Sequence, residues 1–392
     1  MHTAVSVPPV ISGRSHPRSI AILSTFPPTS CGIATFSAAL AAGLISDGAS
    51  VEVVRCGAPP ALEDSLVLAS LGEGAGAATD AALEVLNAAD VAVVQHEYGL
   101  FDGTDGDSVL GVMDRITVPL MLVAHTVVSS PTPGQRFVLD GVCRAADVIV
   151  VMTETARERL LAAYTVDPAK VTVIAHGAAT PGADPDHDSR RSVFDRPRLL
   201  TWGLLGPGKG IEWAIDAMDE LDGLRCPPEY VIAGTTHPKV RAHSGEVYRQ
   251  MLIDRAARST SGVVVSFDDR YRTLESLTEL IRSADLVVLP YDSRDQVTSG
   301  VLVDAVAAGR PVVSTAFPHA VELLASGAGI VVPQRDPVAL GRAIRAVLTD
   351  PALAASMTAE AQRLAPSLSW AAVAHQYVEL SDGLVAERAM SS

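Results

Sequence analysis

The chain has 392 residues, a formal charge of −15 and 48% hydrophobic residues. That length exceeds one ordinary core, so two domains are expected, and the apolar fraction excludes a disordered chain. The acidic balance excludes a basic nucleic-acid footprint and a polybasic membrane anchor, yet leaves room for an anion held locally by backbone amides and a few cations.

Residues 1–18 contain Pro, Ser, His and Arg with no apolar stretch, and read as a flexible tail rather than a signal peptide. No apolar run reaches the length of a membrane span. The cysteines at 31, 56, 143 and 226 are scattered without CxxC or zinc spacing, which points to free thiols and a cytoplasmic protein. From "SIAILS" onward, short apolar runs at 19–24, 51–54, 90–95, 119–124, 147–151 and 172–175 alternate with helical stretches such as 33–45 and 153–164. Strands of this kind are buried on both faces of a parallel sheet. They define a first domain over 19–180. A Pro-, Asp- and Arg-rich stretch at 181–197 reads as a linker. The rhythm resumes in a second domain, 198–368, with strands at 198–202, 230–233, 262–267, 285–289, 311–315 and 329–332. The final segment, 369–392, opens with an amphipathic helix. The fold class is α/β: two Rossmann-like, doubly wound parallel-sheet domains facing a central cleft. Ligands of such sheets bind beyond the carboxyl ends of the strands.

Five motifs fall at such strand ends. "STFPPTSCGIATF" (24–36) carries the chain from the first strand into a helix beginning near Gly32, and its plain reading is a Pro-stiffened connection. "VVQHEYGLF" (93–101) clusters His96, Glu97 and Tyr98 at the start of a substrate-facing loop, and "VAHTV" (123–127) ends the next strand on His125. "TWGLLGPGKGIEW" (201–213) is a strand, a glycine-rich turn with Gly203, and Lys209 at a helix start, which suits a phosphate although it fits neither the P-loop nor GxGxxG. In "QVTSGVLVDAVAAGRPVVST" (296–315), Thr298 and Ser299 are N-cap types. Gly300 leads into the helix, and Asp304 lies one turn in, where a carboxylate can accept hydrogen bonds from a ribose diol. A capped core helix with a solvated Asp is the competing reading. No Ser–His–acid set, nucleophilic thiol or metal cluster can be built, and Asp184-Pro185-Asp186 lies in the linker rather than at a strand end.

Together these motifs resemble a family 4 retaining glycosyltransferase of the GT-B architecture, from residue 19 to about 385, in a bacterial branch with few characterised members. "PPTSCGIATF" resembles the family's first glycine-rich loop, "AHTV" its cleft histidine, "GLLGPGKGIE" its phosphate loop and "QVTSGVLVDAVAAGRPVV" its E-x7-E block. The resemblance implies transfer of a hexosyl group, with retention, from a nucleoside-diphosphate sugar to a carbohydrate or glycolipid hydroxyl. The donor would be a UDP- or GDP-sugar, no cofactor or metal would be required, and no nucleic acid would be involved. A peripheral position at the inner membrane face is compatible with it. It implies catalytic roles for His125 and Lys209, donor contacts from Gly32, Gly203, Lys209, Arg270, Tyr271, Gln296, Thr298, Ser299, Gly300 and Asp304, and an acceptor side formed by His96, Glu97 and Tyr98. It would also send the last helix back across the first domain. The sequence departs from the family pattern at Gln296 and Asp304, where glutamates are usual, and at Leu204, where an arginine is usual. Arg270 and Arg310 are the candidates to replace that charge. Two rival readings are a nucleotide-sugar epimerase and a nucleotide-sugar-binding protein without turnover.

Overall fold

The computed structural model describes residues 18–29, 31–57, 64–72, 76–179, 196–259, 261–270 and 272–391. The expected tail falls almost wholly outside them, as do most of the linker and Tyr271.

The apolar runs become strands because their β-branched side chains pack on both faces of a sheet, with the backbone satisfied by neighbours. In the first half these are β1 (Ser19–Ser24), β2 (Ser50–Cys56), β3 (Val67–Leu71), β4 (Val91–His96), β5 (Leu120–Ala124), β6 (Val148–Val151) and β7 (Val171–Val173). They form one sheet in the order β3-β2-β1-β4-β5-β6-β7, all parallel. The strand β3 has no counterpart in the sequence reading. It is the sheet edge and none of its residues is buried, so it lacks the dense apolar run of an inner strand. The second half supplies β8 (Arg198–Trp202), β9 (Glu229–Ala233), β10 (Val264–Asp268), β11 (Leu286–Leu289), β12 (Val312–Thr315) and β13 (Gly329–Val332). Their order, β10-β9-β8-β11-β12-β13, is again fully parallel.

Helices cover both faces of each sheet. The first half has α1 (Gly32–Ser46), α2 (Ala77–Ala88), α3 (Ser108–Met113), α4 (Pro133–Ala145) and α5 (Glu154–Ala163). The second half has α6 (Ile211–Ala217), α7 (Pro238–Ser244), α8 (Val247–Arg258), α9 (Leu274–Arg282), α10 (Gly300–Ala307), α11 (Pro318–Leu323), α12 (Pro337–Thr349) and α13 (Pro351–Leu364). The last helix, α14 (Trp370–Ser391), returns to α1: Val373, Ala374 and Tyr377 are buried in the same cluster as Phe36, Leu40 and Leu44. Gly43 makes this approach possible, since a Cβ there would lie 2.8 Å from Ala374 Cβ. The two chain crossings between the halves run side by side. Ala178 N–H donates to Leu368 O at 2.7 Å, and Trp370 N–H donates to Ala178 O at 3.2 Å. No helix among the described residues is long and apolar enough to cross a membrane.

Candidate active site

In a doubly wound sheet, strand order reverses at one point, and the two loops leaving adjacent strands there diverge to open a crevice. In the second sheet that point lies between β8 and β11, which are hydrogen-bonded neighbours. The loop after β8 carries Gly203 and Lys209, and the loop after β11 carries Gln296, Thr298, Ser299 and Gly300. The same switch in the first sheet lies between β1 and β4. Its two loops carry Gly32 at one end and Glu97-Tyr98 at the other. All but one of the strand-end motifs singled out in the sequence therefore gather at the two switch points; His125 leaves β5, the strand beside β4.

The strand ends of the two halves face each other. Thr153 Oγ1 donates to Val297 O at 3.1 Å, and Ser129 Oγ donates to Asp295 Oδ1 at 2.8 Å. Glu322 accepts from the N–H groups of Glu154 and Thr155, each at 2.9 Å, and so caps α5 from the opposite half. His176 lies against Gly300, where a Cβ would be 2.9 Å from its ring. A side chain at that helix start would have to displace the His176 ring.

Within the second half, Lys209 holds its ammonium 4.3 Å from the centre of the Tyr291 ring. No carboxylate pairs with it among the described residues, so its charge is available to an anion. Val301, in the first turn of α10, lies 3.7 Å from the position of a Cβ on Gly203, which joins the two loops at one spot. Ser299 is the N-cap of α10, its Oγ accepting from Leu302 N–H at 3.3 Å. The amide of Ser299, expected to be open to a ligand, instead donates to His319 Nδ1 at 2.8 Å. Gln296 is folded onto its own loop, with its Nε2 donating to Thr298 O, while Thr298 Oγ1 is buried with no partner among the described residues. Gly32 has open space around its Cβ position, leaving the start of α1 unobstructed.

Asp304 lines a small cleft with Ala179, Leu274, Leu277, Thr278, Ile281 and Ala308. These apolar walls desolvate its carboxyl and raise its pKa to about 7. His125 is pushed the other way: burial, then the nearby His176 and His96, lower it to about 3, so the ring is neutral. Glu97 is raised by burial, against hydrogen bonds from Thr126 and Tyr98 N–H and the charge of Lys239, all of which lower it.

Three placements differ from the sequence expectation. His96 is fully buried, so its ring is not open to a ligand, because β4 is flanked by β1 and β5 and packed on both faces. Arg310 hydrogen-bonds the carbonyls of Ala308 and Ala284 at the opposite end of the sheet, so it is no substitute for a cleft cation. Arg270 is exposed beyond the edge strand β10 and engages both oxygens of Asp268, at 2.9 and 2.7 Å. Basic residues that the sequence reading passed over lie nearer. His237 is lowered by burial, then by the charges of Lys239 and Lys209, which places three basic residues together beside the Lys209 loop. Lys239 also touches Gly99 of the first half. The signal was there in "THPK" (236–239), directly after a strand end.

Two parallel, doubly wound sheets with their switch-point loops facing one another define the GT-B class of protein. Two family profiles match, "Glycosyltransferase Family 4" over residues 31–180 and "Glycosyl transferases group 1" over residues 196–350. The chain belongs to glycosyltransferase family 4, and is a nucleotide-sugar glycosyltransferase. That membership favours neither the epimerase nor the non-catalytic reading. Among curated relatives, a D-inositol 3-phosphate glycosyltransferase of Kineococcus radiotolerans is 28% identical over 314 residues, covering 70% of this chain and 68% of that protein. Among solved structures, the sucrose-phosphate synthase of Thermosynechococcus elongatus superposes with a TM-score of 0.72 at 19% identity, covering 94% of this chain and 100% of that one. Anabaena HepE in complex with UDP-glucose superposes with a TM-score of 0.70 at 16% identity, covering 95% and 100%. At these identities the two structures speak for the fold.

Proposed function

We propose that the chain transfers a hexosyl group from a UDP-sugar to an acceptor hydroxyl with retention at the anomeric carbon. The observation that carries this reading is the meeting of a lysine with no carboxylate partner among the described residues and a serine-capped helix start at one switch point, opposite a second switch point in the other half. A diphosphate placed there meets Lys209, the free N–H groups and positive end of α10, and the field of Lys239. Uridine is preferred over guanosine because solved proteins of this fold hold UDP and UDP-glucose.

In this reading Asp304 accepts hydrogen bonds from the donor ribose, inside the cleft it shares with α9. Gln296 turns from Thr298 O to the sugar hydroxyls, Thr298 and Gly300 line the sugar and diphosphate, and Gly32 and Gly203 keep backbone close to the phosphates. His125 lies against the transferred sugar as a neutral imidazole, and Glu97 and Tyr98 border the acceptor. Charge develops on the departing diphosphate as its bond to the anomeric carbon breaks, and pre-placed donors stabilise it without reorganisation. The acceptor oxygen bonds to the same face of that carbon, and its proton passes to the leaving phosphate oxygen. The two facing halves limit entry of water, which would otherwise hydrolyse the donor.

The relatives named for D-inositol 3-phosphate suggest a cyclitol or sugar acceptor, carbohydrate or glycolipid in class. The test titrates the protein with UDP- and GDP-sugars, then follows nucleotide release and product stereochemistry over a panel of sugar, cyclitol and glycolipid acceptors. Acceptor-dependent release of UDP with a retained anomer is expected. Binding with no turnover on any acceptor, or turnover of donor to its epimer, would overturn the proposal.

A further inference from the structure

The strand β4, VAVVQH, is apolar until its last two residues, and both of those, Gln95 and His96, are completely buried. A buried carboxamide is unfavourable unless its groups find partners. Gln95 Oε1 lies 2.6 Å from His125 Nε2, while Gln95 Nε2 has no partner among the described residues. The His125 ring is fixed from other directions as well. Phe36 of α1 meets it edge-on at 4.8 Å between centroids, and the backbone N–H of His125 donates to His96 O at 3.1 Å. The titratable groups facing it are His96 from β4 and His176 from the crossing after β7, and Glu97 is bonded to the adjacent Thr126. Burial and these two histidines keep the imidazole neutral. A neutral imidazole has one donor and one acceptor. With a carbonyl oxygen against Nε2, the proton resides there and Nδ1 is the acceptor.

We propose that Gln95 is a positioning residue for His125, holding the ring as the Nε2–H tautomer so that Nδ1 can accept a hydrogen bond from a hydroxyl of the transferred sugar. This rests on the reading of His125 given above. The sequence signal is a lone carboxamide inside a strand that is otherwise apolar, a position where only a specific partner justifies a polar side chain.

The test uses the full chain with ¹⁵N-labelled histidine, and release of UDP from UDP-glucose as the kinetic probe. In the wild type, the His125 resonances should report the Nε2–H tautomer and no protonation down to about pH 5. Gln95→Leu should mix the tautomers and lower kcat about 10- to 100-fold with the Kd for UDP unchanged, as expected for a misoriented contact. Gln95→Glu places a carboxylate against Nε2–H, stabilises the imidazolium and raises its pKa, so an acid limb absent from the wild type should appear in the kcat profile. In a His125→Ala background, Gln95→Leu should cost nothing more. A merely structural role predicts the reverse: a lower Tm, an unchanged tautomer, no new limb, and losses that add to those of His125→Ala. Any of the last three results overturns the proposal. If His125→Ala alone retains full kcat, the sugar-contact reading of His125 fails instead, and the proposal fails with it even where the tautomer responds.

Discussion

Lys209 owes its position to local chemistry and its availability to tertiary packing. A lysine at a helix start opposes the helix dipole, and here its ammonium rests on the face of Tyr291. Removing it should therefore leave the fold alone and strip charge from the leaving group. Lys209→Ala is expected to lower kcat about 10²- to 10³-fold, as loss of a preorganised electrostatic contact does. Its Tm should stay within a degree or two, since the contribution of an isolated cation–π contact is about 0.5–1 kcal/mol; nucleotide-release assays and thermal melts together check both halves.

Asp304 predicts a pH dependence. Its carboxyl has a folded-state pKa of about 7, above the ordinary 3.8, because the apolar walls of its cleft disfavour the charge. The folded chain thus holds a proton that the unfolded chain releases. The stability this group supports is complete below pH 3.8 and is lost progressively as pH rises through about 7. Asp304→Asn should flatten that part of the Tm profile and raise Tm at pH 8. It should also weaken UDP binding, since an amide is a poorer acceptor for a diol than a carboxylate. Unchanged Tm profiles from pH 4 to 8 would show that the carboxyl is not desolvated.

At the scale of elements, the loop from β11 to α10 is the decisive piece. Its residue Val297 is 1% exposed and sits in the apolar cluster of the first half, beside Val127 and Ala156, although the loop belongs to the second. The strand before it and the helix after it are legible as periodic apolar runs, whereas the insertion of Val297 into a distant cluster is not. The packing of α14 on α1 has a similar character. A side chain larger than hydrogen at Gly43 would meet Ala374 Cβ and, at 3.0 Å, Trp370 O. Gly43→Val should cost about 1–3 kcal/mol through overpacking and loosen α14. Limited proteolysis should then cut within 370–391 under conditions where the wild type is resistant.

At the scale of the whole molecule, the two halves are joined by polar contacts from strand-end loops. Asp295 receives Ser129 and also Arg159, whose NH1 lies 3.3 Å away, and Glu322 caps α5. These contacts favour the closed arrangement, and the donor loop takes part in them directly. Glu322→Ala removes a cap, a contribution of about 0.5–2 kcal/mol. Together with Asp295→Ala it should shift the chain toward an open form, seen as a larger radius of gyration by small-angle scattering. Donor affinity should fall even though neither residue is placed against the donor. A double variant with wild-type scattering and wild-type UDP affinity would show that closure does not depend on these contacts.

The sequence by itself determined the alternation of strand and helix, the parallel character of both sheets and the placement of the chief motifs at strand ends. These follow from local properties: apolar runs buried on two faces, glycine where a turn needs it, and Ser299 as a helix cap. It did not determine which of those motif residues would be accessible. Only the tertiary structure buried His96, turned the Ser299 amide onto His319, sent Arg310 to the far end of its sheet and gathered Lys209, His237 and Lys239 at one edge. Accessibility, charge pairing and protonation depend on neighbours that are distant in the chain. Such neighbours leave no periodic trace in the residues themselves.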